Sequence, residues 1–345
     1  MTRHVLAVTL GDPVGIGPEI TAVTLAETAG AEGHHGVAVG DPAALRRGVQ
    51  AMGLDVEVRV VDGFGTEPQD GVIDVVDTGV LGDDVPEWGK VDERAGRAAV
   101  AAIERATQAA LDGEVAGVVT SPINKEAIWA AGSQHLGHTE MLGELTGVTQ
   151  QDTMFVVRNT AQEGHHLRIF FTTRHVALRK AIDQISKQRV EESIHRAHTA
   201  LQVFGVQNPR LAVAALNPHG GENGNFGDEE IVHIGPACEA ARAEGLDVRG
   251  PIPADSVFHQ GLVGRYDGVL SHFHDQGHIP AKTFDFDGTI SVTVGLPILR
   301  TSVDHGTAFD IAGTGKAGAG TMLSAYLAAV DYAPFADTIR KAYTP

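Results

Sequence analysis

Short runs of β-branched and other apolar residues alternate along the chain with longer stretches whose apolar positions recur every third or fourth residue. That alternation is the pattern of parallel strands joined by crossover helices. The apolar runs predict strands at residues 5–10, 36–39, 56–61, 115–120, 153–157, 167–171, 211–216, 268–270 and 290–294. Between Asp92 and Leu111, Ala99, Ile103, Ala106 and Ala110 fall on one helical face, and Gly113 follows as a stop. Further helices are predicted over 187–204, 228–243 and 318–330. Glycine clusters at strand ends, so composition alone marks no linker. In open α/β sheets ligands bind beyond the carboxyl ends of strands, which directs attention to the segments just after each apolar run.

Charge and cysteine content narrow the classes of function. The 345 residues carry 26 Lys and Arg against 44 Asp and Glu, a formal charge of −18. A nucleic-acid-coating surface needs clustered cations, so no nucleic-acid partner is expected. One cysteine, Cys238, rules out an internal disulfide and fits a reducing compartment. The amino terminus reads as a first strand that runs into Gly11-Asp12-Pro13, and no run approaches the roughly 18 apolar residues of a membrane span. A cytoplasmic protein with no membrane partner is the expectation.

Three motifs could carry chemistry. Gly11-Asp12-Pro13-Val14-Gly15-Ile16-Gly17-Pro18-Glu19 follows the first strand and leads into a helix that Pro18 can start. It reads either as a turn offering N–H groups to an anion or cofactor or as a tight structural turn. The dinucleotide fingerprint is missing, because Ile20 stands at its last glycine. Secondly, His175, His219 and His274 each follow an apolar run. Three neutral imidazoles converging from strand ends suit a divalent transition metal with open positions, although any one of 17 histidines could instead be a surface or core residue. His34, His35, His165 and His166 are read as ordinary. Thirdly, Gly137-His138-Thr139-Glu140, with Lys125 upstream, could hold a phosphate or carboxylate, or Thr139 could cap a helix. Lys282 and the turn-like Arg300-Thr301-Ser302-Val303-Asp304-His305-Gly306-Thr307 add cations that would focus an anionic substrate. Neither a Walker lysine nor a nucleophile elbow is present.

Taken together, Gly11 to Ile20, Gly137-His138-Thr139-Glu140, Leu216-Asn217-Pro218-His219, Gly250 to Asp255, His274-Asp275-Gln276-Gly277 and Arg300 to Ala308 resemble the 4-hydroxythreonine-4-phosphate dehydrogenase family of pyridoxal phosphate biosynthesis, in family order across nearly the whole chain. The resemblance implies two α/β/α domains with a central cleft, as in isocitrate and isopropylmalate dehydrogenases. A cofactor-side domain would comprise 1–125 plus 296–345, and a metal, substrate and dimerisation domain 126–295. It implies a homodimer with shared active sites.

The same resemblance makes His175, His219 and His274 ligands of a divalent metal (Zn, Mg or Co). His138, Thr139, Lys282, Ser291 and Arg300 become substrate-binding positions, and Gly15, His305, Gly306 and Asp310 positions for NAD or NADP. Lys282, Asp275 and Asp255 become catalytic candidates, with Lys282 or Asp275 relaying a proton. The implied reaction is oxidation of 4-hydroxy-L-threonine 4-phosphate at C3 and decarboxylation to 3-amino-2-oxopropyl phosphate, with the metal lowering the pKa of the 3-hydroxyl. Ser291 and His278 depart from the biosynthetic pattern, which has asparagine and an apolar residue there. These departures look like a paralogous branch acting on 4-phospho-D-threonate or 4-phospho-D-erythronate in sugar-acid catabolism. Two rivals of other classes are a hydrolase using the histidines to activate water and a binding protein without catalysis.

Overall fold

A computed structural model describes residues 3–158 and 166–344; His165 lies outside them. The strands are β1 His4–Thr9, β2 His34–Val39, β3 Glu57–Val61, β4 Val72–Val76, β5 Gly117–Thr120, β6 Asp152–Arg158, β7 His166–Phe171, β8 Leu211–Ala214, β9 Val248–Ile252, β10 Gly268–Ser271, β11 Thr289–Val294 and β12 Arg300–Ser302. The chain divides into two compact units, 1–151 with 295–345, and 152–294.

In the first unit the strand order is β3-β4-β2-β1-β5-β12, and every neighbouring pair is parallel. Successive strand residues face opposite sides of the sheet, so both faces need cover. Helix Glu93–Asp112 covers one face, burying Ala99, Ile103 and Ala106 against Ala7, Val37 and Val118. Asp92 starts that helix by accepting hydrogen bonds from the N–H groups of Arg94 (2.7 Å) and Ala95 (3.4 Å). Gly113 ends it in the left-handed conformation at φ 77°.

In the second unit the order is β11-β6-β7-β10-β8-β9. Here β7, β10, β8 and β9 run parallel, while β6 is antiparallel to both β7 and β11. The sheet is therefore mixed, not wholly parallel as the alternating pattern suggested. Phe155, Leu167, Ile169, Phe171 and Val269 form its core with Val257 and Phe258 of helix Ala254–Leu262.

Three further differences from expectation have local causes. β4 was missed because Asp74 interrupts its apolar run; that buried carboxylate takes two hydrogen bonds from Arg59 (2.6 and 2.9 Å) and sits 3.1 Å from His35 Nε2. Arg300-Thr301-Ser302, expected as a turn, is a buried strand beside β5. The expected helix over 228–243 opens with a π-helical turn, Glu230–Ile234, before helix Gly235–Ala243.

The unit boundary also moves. Residues 126–151 belong with the first unit, because Ile128, Met141 and Leu142 share the core of helix Glu93–Asp112. Gly96 of that helix lies so close to helix Lys125–Ala130 that an added Cβ would stand 2.0 Å from the Ala127 carbonyl oxygen. Alanine at position 96 should gain a little helix propensity yet lose more to this overlap, a net destabilisation of about 1–3 kcal/mol by urea denaturation. An unchanged or raised midpoint would refute the close approach.

Candidate active site

In the second unit, parallel pairing sets the carboxyl ends of β7, β10 and β8 side by side, and each is followed by one of the predicted metal histidines. The register is held by a residue that sequence reasoning passed over. His272 is fully buried; its Nε2–H donates to the Ala214 carbonyl (2.7 Å), and its Nδ1 accepts from Thr172 Oγ1 (3.2 Å). A carbonyl can only accept, so the ring is the neutral Nε2–H tautomer. Burial, working against the bond to Ala214, pushes its pKa down to about 4. Gln276 makes a second tie, donating to Ala215 O (2.8 Å) and accepting from His272 N (2.7 Å). Gly277 is required by space, because a Cβ there would meet Phe171 Cε1 at 2.6 Å and Ser271 Oγ at 2.8 Å.

His175 and His274 are brought together, with ring centroids 5.8 Å apart. His274 Nδ1 donates to Asp275 Oδ1 (2.7 Å), the carboxylate–histidine arrangement that leaves Nε2 as the ligating nitrogen. Asp275, expected near the metal as an acid or base, is thus the orienting partner of the His274 ring. His278 is buried and stacked on His274 at 3.7 Å; its Nδ1–H donates to the His274 carbonyl (2.7 Å), and its ring meets Phe155 edge-on at 4.1 Å. His219 is exposed, with a left-handed backbone at φ 53°. Its loop is pinned by Glu230, which accepts from the N–H groups of Leu216 and Asn217 at 2.7 Å each. These bonds outweigh desolvation and lower the Glu230 pKa.

The ligand nitrogens of the three histidines do not all lie within 4.8 Å of one another; among the described residues that spacing is met by Glu191, His195 and Glu244 on the surface. The donor types and the oriented His274 fit a divalent cation, although the three rings as placed here do not close on one point. Of the remaining candidates in this unit, Asp255 is exposed in the first turn of helix Ala254–Leu262 and Ser291 is half-buried on β11. Lys282 is half-buried, with Nζ 5.6 Å from the Phe286 ring.

In the first unit, Arg300 is buried on β12 and donates through Nε (3.1 Å) and Nη2 (2.7 Å) to Thr120 Oγ1. Burial lowers its pKa to about 10, so it stays cationic at neutral pH. His138 opens helix His138–Thr146; burial, and then the Arg300 charge, push its pKa well below 6.5. Its Nε2 is buried without a hydrogen-bond partner. Gly137 is the N-cap and makes no side-chain cap, so Thr139 is exposed within the first turn and does not cap. A fixed cation, an unpaired imidazole nitrogen and an uncapped helix N-terminus together suit an anionic oxygen cluster.

The glycine-rich loop is the tight structural turn of the two readings. Gly15 is buried, its missing Cβ replaced by Thr307 (2.9 Å), and Gly17 lies against the Leu10 carbonyl. His305, Gly306 and Asp310 are exposed on the segment that packs over it.

The resemblance seen in the residues is matched by whole-chain comparison. The family model described as pyridoxal phosphate biosynthetic protein PdxA matches residues 32–329, and the chain belongs to that family. It is 56% identical to a Cutibacterium acnes protein provisionally named D-threonate 4-phosphate dehydrogenase, over 99% of this chain and 97% of that one. A Symbiobacterium thermophilum protein with the same provisional name is 46% identical, over 96% and 97%. The crystal structure of 4-hydroxythreonine-4-phosphate dehydrogenase from Klebsiella pneumoniae superposes with a TM-score of 0.86 at 42% identity, covering 96% of this chain and 98% of that one. The protein is an oxidoreductase of the dehydrogenase type. No helix among the described residues is long and apolar enough to cross a membrane.

Asp12 offers a pH test of the first unit. It is fully buried; Oδ1 accepts from Val14 N (3.0 Å), and Oδ2 has no partner. Burial, opposed by the Val14 bond and aided by Asp92, raises its pKa from 3.8 to about 6. The native state therefore holds this proton more tightly than the unfolded chain. Its stabilising contribution is complete below about pH 4 and is lost as pH rises through about 6. Asp12→Asn, measured by urea denaturation, should lose less stability than the parent between about pH 4.5 and 7.5, by up to about 3 kcal/mol. Parallel pH profiles would contradict the assignment.

Proposed function

We propose that this chain oxidises the C3 hydroxyl of a 4-phosphorylated four-carbon acid with NAD or NADP and a divalent cation, and that carbon dioxide is then lost from the 3-keto acid. The carrying observation is the buried Arg300 beside His138, whose Nε2 is unpartnered at an uncapped helix start, a set matched to a phosphate or carboxylate. When bound, the nicotinamide would supply the hydride acceptor, and the cation would supply the charge that acidifies the hydroxyl and stabilises the electron pair left on the substrate when carbon dioxide is lost.

The chain's own groups bind and orient. Arg300, His138 and Thr139 hold anionic oxygens; His175, His219 and His274 hold the cation, with Asp275 fixing the His274 tautomer. Lys282 and Asp255 are the candidates for proton transfer, and Ser291 for contact with the C2 substituent. His305, Gly306 and Asp310 face the coenzyme. Buried Gly15 supports that segment from beneath.

Family membership and the Klebsiella structure support 4-hydroxy-L-threonine 4-phosphate as substrate. A second reading, 4-phospho-D-threonate, is favoured by His278. This departure from the biosynthetic pattern stacks on candidate ligand His274, and the chain's relatives at 56% and 46% identity carry the D-threonate name. The two substrates differ at C2, amine against hydroxyl, where serine offers a single hydroxyl. Assaying both for NAD and NADP reduction with added Zn, Mg or Co decides between them, and reduction with neither would overturn the proposal. His219→Ala and His274→Ala should each lower kcat by more than ~100-fold with the fold intact. Arg300→Ala should raise KM for the phosphorylated acid about 10- to 100-fold.

We also propose a homodimer that completes the histidine set. Val176, Leu178, Phe226, Ile231, Val232 and Ile279 are 42–62% exposed on or near the three histidine loops, apolar surface that a second copy of the chain would cover. Ile231→Glu should shift sedimentation toward the single-chain mass and reduce turnover with it; a monomeric parent enzyme would sink this part. A cytoplasmic location is supported by cysteine usage, a lone Cys238 that cannot form an internal disulfide.

A further inference from the structure

The segment from Val303 to Ala319 contains no helix or strand, yet its backbone is clamped at several points. Thr307 O accepts from Ile16 N (3.0 Å), and Gly15 leaves room for the Thr307 side chain. Gly89 lies against the Phe309 carbonyl, where a Cβ would stand at 2.5 Å. The strongest clamp is Glu19. This carboxylate is fully buried in the first turn of helix Gly17–Thr28, where the helix dipole favours negative charge. Its Oε2 accepts from Gly313 N and its Oε1 from Gly315 N, both at 3.0 Å.

The clamp leaves little slack. Gly313 and Gly315 have φ of 77° and 71°, a region that side chains other than glycine rarely adopt. A Cβ on Gly313 would meet Trp88 at 2.5 Å, and one on Gly315 the Ala51 carbonyl oxygen at 2.4 Å. Trp88 is covered in turn by the Arg47 guanidinium at 4.3 Å. The clamped segment presents outward Asp304, His305, Gly306, Asp310, Thr314, Lys316 and Gly318. Exposed imidazole, carboxylate and ammonium groups on a braced backbone fit the hydroxyls and phosphates of a dinucleotide.

We propose that Glu19 is a positioning residue for the nicotinamide dinucleotide. It does not touch the coenzyme; by chelating the Gly313 and Gly315 amides it keeps the 303–319 segment in its binding conformation before the coenzyme arrives. This rests on the reading of that segment as the coenzyme platform. In Glu19→Gln one acceptor becomes an NH2 group facing a backbone N–H, so one clamp bond is lost and two donors are opposed.

The test uses the full-length enzyme and two measurements. Hydrogen exchange of the unliganded protein should quicken about tenfold or more at 311–319 in Glu19→Gln and remain unchanged in the strands. Titration with NAD and with NADP should show Kd raised about tenfold, with kcat and the KM for the phosphorylated acid within about twofold of the parent. Gly315→Ala, which strains the same segment from its other side, should give the same pattern and serves if Glu19→Gln does not fold. Unchanged exchange would mean that Glu19 does not hold the segment. Faster exchange with unchanged Kd in a parent that does bind dinucleotide would overturn the positioning role. A parent that binds neither NAD nor NADP would overturn the platform reading and the proposal together, which separates that failure from the other two.

Discussion

The second unit depends on one buried imidazole bonded on both sides. His272 has no access to water, so each of its nitrogens must find a protein partner or incur the full cost of burial. It finds them on the strands that flank its own, Ala214 at the end of β8 and Thr172 just past β7. A shift of one residue in either strand would break a bond and turn every side chain to the other face. The loops carrying His175, His219 and His274 therefore leave the sheet from fixed points. Gln276 and Glu230 repeat the device at the next positions out.

The first unit uses buried carboxylates where the second uses an imidazole. Asp41 and Glu19 each accept from donors far away in the chain and hold an irregular segment to the start of a helix, while Asp74 on β4 accepts from Arg59 of the neighbouring β3. Asp12 departs from this economy of donors, because one of its oxygens has none. Arg300 inverts the charge. In a chain with formal charge −18 it is a buried cation whose guanidinium is bonded to the Thr120 hydroxyl, beside an imidazole that burial keeps neutral. A site of that kind attracts an anion through local geometry and low dielectric, against the sign of the whole molecule.

Much of this was legible in the residues. Apolar runs located nine of the twelve strands, and the histidines following three of them marked loops that the sheet does bring together. Strand β12 was not legible because Arg, Thr and Ser read as a turn until β5 is known to lie alongside and Thr120 to accept from the arginine. The antiparallel placement of β6 left no trace in its own composition, since pairing direction is settled by the neighbour. Gly15 and Gly17 read in the sequence either as a turn open to a ligand or as a tight structural turn. The space their missing side chains leave is taken by Thr307 and the Leu10 carbonyl, contacts separated in sequence by very different distances and so invisible before folding.

Periodicity was enough to predict an α/β fold, because burial of one face leaves a repeat that any reader can count, and the ordered motifs carried the resemblance to the family that whole-chain comparison shows. The hydrogen-bond partners of each histidine could not be read that way. His272 and His274 are two residues apart and chemically identical; only the packing of Ala214 and Thr172 around the first, and of Asp275 beside the second, gives them different tautomers. Side-chain roles of this sort belong to the environment that long-range contacts create, and that environment exists only once the chain has folded.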